Sequence, residues 1–136
     1  MYLLDTVIIS ELRKRKTDTG VLRWISSQSD EQLFLSVVTL GEIERGIEKQ
    51  RKLDPDFADE LSVWIESLAN NYADRILPVT PVIARCWGRL SARLGHDGAD
   101  LLIAATALTH GLTVVTRNIS HFKPAGVAVL DPFNEN

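Results

Sequence analysis

Short apolar runs alternate with longer amphipathic stretches along this chain, and that alternation constrains its fold more than any other feature. Tyr2–Asp5, Leu33–Ser36, Arg75–Val79, Leu112–Thr116 and Val127–Leu130 are of strand length and too short for helices. The segments between them have helical period. Strands separated by helices pair in parallel, because a parallel neighbour needs a long crossover. The expectation is a single α/β domain over 1–136, with a central, mainly parallel sheet flanked by helices as an α/β/α sandwich.

The helices can be placed from their apolar stripes and end signals. Val7, Ile8 and Leu12 mark a helix from Thr6 to about Lys16, and a second starting at Thr17 or Asp18 carries Val21, Leu22, Trp24 and Ile25. Further helices are expected over Thr39–Arg51 and Asp54–Asn71, the latter with Phe57, Leu61, Trp64, Ile65 and Leu68 at helical spacing. Thr80-Pro81 supplies an N-cap followed by proline at the first helical position, and Gly95 ends that helix after Leu94. Ala99–His110 is apolar nearly all round, which predicts burial, with Gly111 as its stop.

Composition removes several function classes. With 45% hydrophobic and 24% charged residues the chain is not of disordered type. The lone Cys86 rules out a disulfide scaffold and suits a reducing, cytoplasmic setting. No apolar run approaches the roughly 18 residues of a membrane span, and Tyr2-Leu3-Leu4-Asp5 lacks the basic start of a secretory signal. A net charge of −3 excludes binding nucleic acid by bulk charge. Any polyanion contact must be local. Arg13-Lys14-Arg15-Lys16 is either a solvated helix end, where cations suit the macrodipole, or such a contact.

The chemistry lies in where the acids fall. In parallel sheets, ligands bind outside the carboxyl ends of the strands. Asp5 closes the first strand, Glu42 and Asp100 sit in the first turns of two helices, and Asn118 follows the Leu112–Thr116 strand. Folded as expected, these side chains meet on one rim. Packed carboxylates repel unless a cation neutralises them, and Mg2+ or Mn2+ chooses oxygen ligands. Such a site can activate water for phosphodiester cleavage.

Structural alternatives stand beside each acid. Thr39-Leu40-Gly41-Glu42 fits a capping box, Asp97 could cap the helix that holds Asp100, and Asp5 could begin a turn. Only their joint arrangement argues for a site.

At this point the sequence resembles the PIN domain family. Leu4-Asp5-Thr6, Ser36-Val37-Val38-Thr39-Leu40-Gly41-Glu42, Ala99-Asp100-Leu101-Leu102-Ile103-Ala104-Ala105-Thr106-Ala107 and Thr116-Arg117-Asn118 look like its ordered motifs. Among PIN domains it is most similar to the FitB-like toxins of VapBC-type toxin–antitoxin modules, over almost the whole chain. The resemblance implies a Mg2+-dependent endoribonuclease that cuts RNA and is held inactive by a cognate antitoxin. It matches Asp5 and Asp100 to metal-binding aspartates, Glu42 to the catalytic glutamate, and Thr6 to a hydroxyl beside the metal. Asn118 falls where relatives carry a fourth acid or an asparagine. Two positions depart: Val7 stands where the family commonly has asparagine, and His121 where many relatives have aspartate or glutamate.

Other residues admit plainer readings. His121 is expected in a surface loop, with leaving-group protonation as the alternative role. His96 and His110 are expected to cap helix carbonyls, and Cys86 to be a core or interface thiol. Trp24, Trp64 and Trp87 read as core or as a dimer face, and Arg117 as a phosphate contact or a structural ion pair. No H-E-x-x-H, G-x-S-x-G or G-x-G-x-x-G occurs. A phosphotransfer fold is the rival enzyme, but Val7 stands where a dehalogenase-type second aspartate belongs, and Thr116-Arg117-Asn118 offers no receiver lysine. An inactive PIN module that only binds RNA or protein is the non-enzyme rival. Apolar surplus on the Asp54–Asn71 and Thr80–Leu94 helices predicts a homodimer.

Overall fold

The computed structural model describes residues 1–134. Five short strands, β1 (Tyr2–Leu4), β2 (Leu33–Ser36), β3 (Ile76–Leu77), β4 (Thr113–Val115) and β5 (Val129–Leu130), form one sheet in the order β3-β2-β1-β4-β5. Every pairing is parallel, with Leu3 beside Phe34 on one side and Val114 on the other. Seven helices flank the sheet: α1 (Thr6–Arg13), α2 (Thr19–Ser26), α3 (Val37–Leu53), α4 (Pro55–Asn71), α5 (Pro81–Leu94), α6 (Ala99–His110) and α7 (Ile119–Phe122).

Adjacent strand residues point to opposite faces, and in β1 both Leu3 and Leu4 are fully buried. Leu3 packs with Ile83 and Leu90 of α5, Ile103 of α6 and Phe122 of α7. Leu4 packs with Ile8 and Ile9 of α1, Val21 of α2, and Ile43 and Ile47 of α3. A sheet buried on both faces is the middle of three layers, as the unbroken apolar runs predicted. Burying each such side chain stabilises the fold by about 1.5–3 kcal/mol. Truncating Leu3 or Leu4 to alanine would cost about 2–5 kcal/mol.

The chain steps outward from β1 to β3, then crosses back to place β4 on the other side of β1. That reversal makes the carboxyl ends of β1 and β4 the switch point, where parallel sheets leave a crevice. The residues following these two strands therefore face the crevice.

Several helix ends differ from expectation. α1 stops at Arg13, because Lys14 is already extended and the Thr17 hydroxyl donates to the Glu11 and Lys14 carbonyls. Asp18 caps α2 by accepting from the Gly20 and Val21 amides. α3 begins at Val37 with Ser36 as its cap, accepting from the Val38 amide at 3.0 Å. Thr39 is thus inside the helix and fully buried, so Thr39–Glu42 is not a capping box. The N-cap of α6 is Gly98, with no side-chain bond, so Asp97 caps nothing. Thr80 caps α5 as expected, and Gly95 and Gly111 end α5 and α6 with φ of +78° and +67°, which glycine adopts without penalty.

The apolar stripes of α4 and α5 are largely used within the chain. Leu61, Trp64 and Ile65 pack on the Leu4 side, and Cys86, Trp87 and Leu94 on the Leu3 side. Val63 of α4 and Val82 of α5 stay exposed. Of the basic cluster, Arg13 lies over the Phe57 and Trp64 rings and Lys14 bonds Glu11 at 2.9 Å, so these two cations have partners inside the molecule.

Candidate active site

Asp5 sits directly after β1, and its backbone still belongs to the sheet edge: its amide donates to the Val115 carbonyl at 2.9 Å. Its side chain is only 5% exposed. One carboxylate oxygen accepts from the Thr6 amide at 2.9 Å, which makes Asp5 the N-cap of α1 as well. The other accepts from the Thr116 hydroxyl at 2.9 Å, a bond that spans the β1–β4 switch point. Asp5 therefore does cap a helix. Capping alone does not require burial, and most N-cap aspartates are solvated.

Burial, first, and the nearby Asp100 and Glu42 charges push the Asp5 carboxyl from 3.8 up to about 6, against the lowering effect of its hydrogen bonds to Thr116 and Thr6. Burial is the larger cause, and the Asp100 and Glu42 charges add to it.

Glu42 is on the second turn of α3, not the first, because that helix starts early. Its Oε1 accepts from the Thr6 hydroxyl at 2.6 Å, and Thr6 also lies 3.2 Å from the Thr39 hydroxyl. Thr6 thus ties α1 to α3 and holds the glutamate. A cleft of about 280 Å³ opens beside it, lined by Thr6, Arg13, Glu42, Gln50, Phe57 and Trp64 among others.

Asp100, in the first turn of α6, has one carboxylate oxygen 2.9 Å from His121 Nδ1, beside a second cavity of about 290 Å³. His121 is therefore on α7 and against the acidic rim, not in a free surface loop. Sequence reasoning missed this pairing because α7 is one turn long, too short for periodicity to reveal; the run Ser120-His121-Phe122 shows only its buried Phe122. The Asn118 amide donates to the Thr116 hydroxyl at 2.9 Å, which places Asn118 one residue-link from Asp5 with its side chain in solvent.

The remaining predicted positions fall elsewhere. The Arg117 guanidinium stacks 4.5 Å over the Phe133 ring. His96 accepts at Nδ1 from the Gly98 amide at 3.4 Å and so does not cap a carbonyl. Val7 packs into the Leu4-side core, leaving no polar atom there. Among the described residues no group of three or more His, Cys, Asp or Glu side chains forms a ready cage for a metal.

The PIN domain model matches residues 2–126. The chain belongs to the PIN domain family. It is 36% identical to VapC ribonuclease Y4jK of Sinorhizobium fredii over 143 residues, covering 98% of both chains. It is 33% identical to Toxin FitB of Neisseria gonorrhoeae, covering 99% of this chain and 100% of that one. The crystal structure of FitAcB from Neisseria gonorrhoeae superposes with a TM-score of 0.84 at 34% identity, covering 97% of this chain and 98% of that one. This PIN domain is thus of the VapC and FitB toxin kind and a nuclease by its likeness to the VapC ribonucleases.

Proposed function

We propose that this PIN domain is the toxin of a type II toxin–antitoxin pair and hydrolyses RNA phosphodiester bonds with Mg2+ or Mn2+ as cofactor. The observation that supports this is the buried Asp5 carboxylate at the β1–β4 switch point, held by the Thr6 amide and the Thr116 hydroxyl, with Glu42 tied to the same Thr6. Asp5 and Asp100 would hold the cation. The bound cation supplies charge neutralisation and a water acidic enough to attack phosphorus.

The chain's own residues do the rest. Glu42 has one oxygen engaged by Thr6 and the other open to take a proton, which suits a general base. The Thr6 and Asn118 side chains stand at the rim where a phosphate oxygen would pass. Arg117 is held over Phe133. A more accessible set of phosphate contacts is Arg85, Arg89 and Arg93, exposed on α5 at i, i+4 and i+8. Four residues of helix rise about 6 Å, the scale of successive backbone phosphates, and α5 carries no acid to neutralise the row.

The cleft beside Glu42, with Phe57 and Trp64 in its wall, supports docking of a cognate antitoxin. We also propose that the protein pairs as a homodimer and acts in the cytoplasm. A sedimentation mass near 15 kDa at micromolar concentration, without antitoxin, would refute pairing. For the activity, purified protein freed of partners should cut RNA with Mg2+ and stop in EDTA. RNA left intact with Mg2+ would favour a module that only binds.

A further inference from the structure

The cleft of about 280 Å³ that opens beside Glu42 is built from three helices. Thr6, Ser10 and Arg13 line it at i, i+4 and i+7 of α1, and Glu42, Gly46 and Gln50 at i, i+4 and i+8 of α3, so each set lies on one helix face. Glu42 begins the α3 row at the acidic rim, and Gln50 ends it about 12 Å further along the helix. Phe57 and Trp64 of α4 stand in the wall.

The middle of the α3 row is empty. Glycine is a poor residue inside a helix, because it loses the most backbone freedom on folding. Packing does not call for it at Gly46, where a Cβ would meet nothing within 4 Å. The groups around this gap are also unspent. Among the described residues the Gln50 amide and the Ser10 hydroxyl have no hydrogen-bond partner, and the Arg13 guanidinium has no carboxylate. Arg13 lies instead over aromatic rings, 5.2 Å from the centre of Phe57 and 5.9 Å from that of Trp64.

Flat stacking planes beside a free amide match a nucleobase, which has two apolar faces and a polar edge. An apolar peptide side chain seated there would leave Gln50 and Ser10 buried without partners. No Phe, Tyr or Trp of the described residues is freely exposed, so a base cannot stack on open surface instead. A paired base hides both its faces and its edge, so only an unpaired one can enter.

We propose that this cleft is a nucleobase pocket. An unpaired RNA base lies over Gly46, stacks on the planes of Arg13, Phe57 and Trp64, and is read at its edge by Gln50. The site thereby selects single-stranded RNA by a base beside the phosphate that reaches Glu42. This rests on the ribonuclease reading given above. An antitoxin docked over the same cleft excludes the base.

The test uses the full-length protein freed of partners and reads fluorescence anisotropy in EDTA, where no strand is cut. The probes are single-stranded dodecamers of adenine, cytosine or uracil nucleotides and an abasic sugar–phosphate strand of equal length. Wild type should bind at least one base-bearing strand about 5- to 150-fold more tightly than the abasic strand, the worth of one stacked base. Gly46→Leu fills the gap, and should melt no lower than wild type because leucine is the better helix former and has room. It should bind the abasic strand as wild type does and lose the preference for bases. Gln50→Glu keeps the length of the side chain but loses the amide donor, and should change which base is preferred. In Mg2+, the cut ends of a random single-stranded pool should show one base-selective position beside the cut for wild type and none for Gly46→Leu.

Equal affinity of wild type for abasic and base-bearing strands overturns the pocket. So does a base preference that survives in Gly46→Leu, or an unchanged ranking of bases in Gln50→Glu. A Gly46→Leu protein that escapes the antitoxin yet keeps the base preference assigns the cleft to the protein partner and likewise overturns the proposal. The ribonuclease reading fails separately: wild type that prefers bases in EDTA but cuts no RNA in Mg2+ retains the pocket and is no nuclease.

Discussion

Asp5→Asn should make the metal-free protein more stable at neutral pH, although it removes a side chain with two hydrogen bonds. The Asp5 carboxyl titrates near 3.8 in an unfolded chain and near 6 in this fold. Between those values the native state binds more protons than the unfolded one, so stability falls as pH rises through about 4 to 6 and is flat above. The full cost of ionising Asp5 in the fold is about 3 kcal/mol. Asparagine escapes that cost and keeps one good acceptor, for the Thr6 amide or the Thr116 hydroxyl. Losing the other bond costs about 1 kcal/mol.

The net gain at pH 7.5 in EDTA is therefore about 2 kcal/mol, or about 6 °C in Tm for a domain of this size. Saturating Mg2+ should reverse the order. A ligand at a hundred times its Kd stabilises wild type by about 2.7 kcal/mol, and the variant should gain little. The assay is urea denaturation and thermal melting of both proteins, in EDTA and in Mg2+, from pH 4 to 8. An Asp5→Asn protein that is less stable than wild type in EDTA at pH 7.5, or that keeps the wild-type slope between pH 4 and 6, refutes the electrostatic argument.

Asp100→Ala should leave stability in EDTA unchanged or slightly raised, abolish most of the Mg2+ response, and end RNA cleavage. Asp97→Ala should change stability by no more than about 0.5 kcal/mol in either buffer, because Gly98 and not Asp97 caps α6. Replacing Arg85, Arg89 and Arg93 together by glutamine should weaken binding of uncleaved RNA in EDTA. It should also flatten the slope of log Kd against log salt by about 0.7 for each phosphate that the protein no longer neutralises; an unchanged slope removes α5 from the RNA path. Finally, inhibition by the antitoxin should depend on one arginine able to reach Asp5, Glu42 and Asp100 with a bidentate fork. Full inhibition by every arginine-to-alanine antitoxin variant would refute that mode.

How much of this was legible in the chain depends on the range of the forces involved. Buried strands betray themselves locally: Leu3 and Leu4 are adjacent and both apolar, so both faces of β1 had to be covered, and the three-layer sandwich followed. Caps with their own signature, Thr80-Pro81 before α5 and Gly95 and Gly111 after α5 and α6, were equally local. Where two short-range signals competed, the sequence misled. Thr39-Leu40-Gly41-Glu42 has the pattern of a capping box, but burial of Thr39 and Val38 draws the helix start back to Ser36, and packing outweighs one cap.

The acids Asp5, Glu42 and Asp100 could be picked out as the ones ending strands or opening helices, and the parallel topology brings them to one rim. What the sequence could not show is how each is held. The Thr116 hydroxyl reaches Asp5 across 111 residues of chain, and Thr6 reaches Glu42 across 36. His121 meets Asp100 only because Phe122 is buried between the sheet and α5 and α6. Periodicity reports which face of an element is apolar; it carries no information about which polar atoms two distant elements bring within 3 Å. The sandwich was therefore written in the order of residues, while Asp5's displaced ionisation and the hydrogen-bond partners of Asp5 and Glu42 were decided by tertiary packing, which alone removes water and closes those distances.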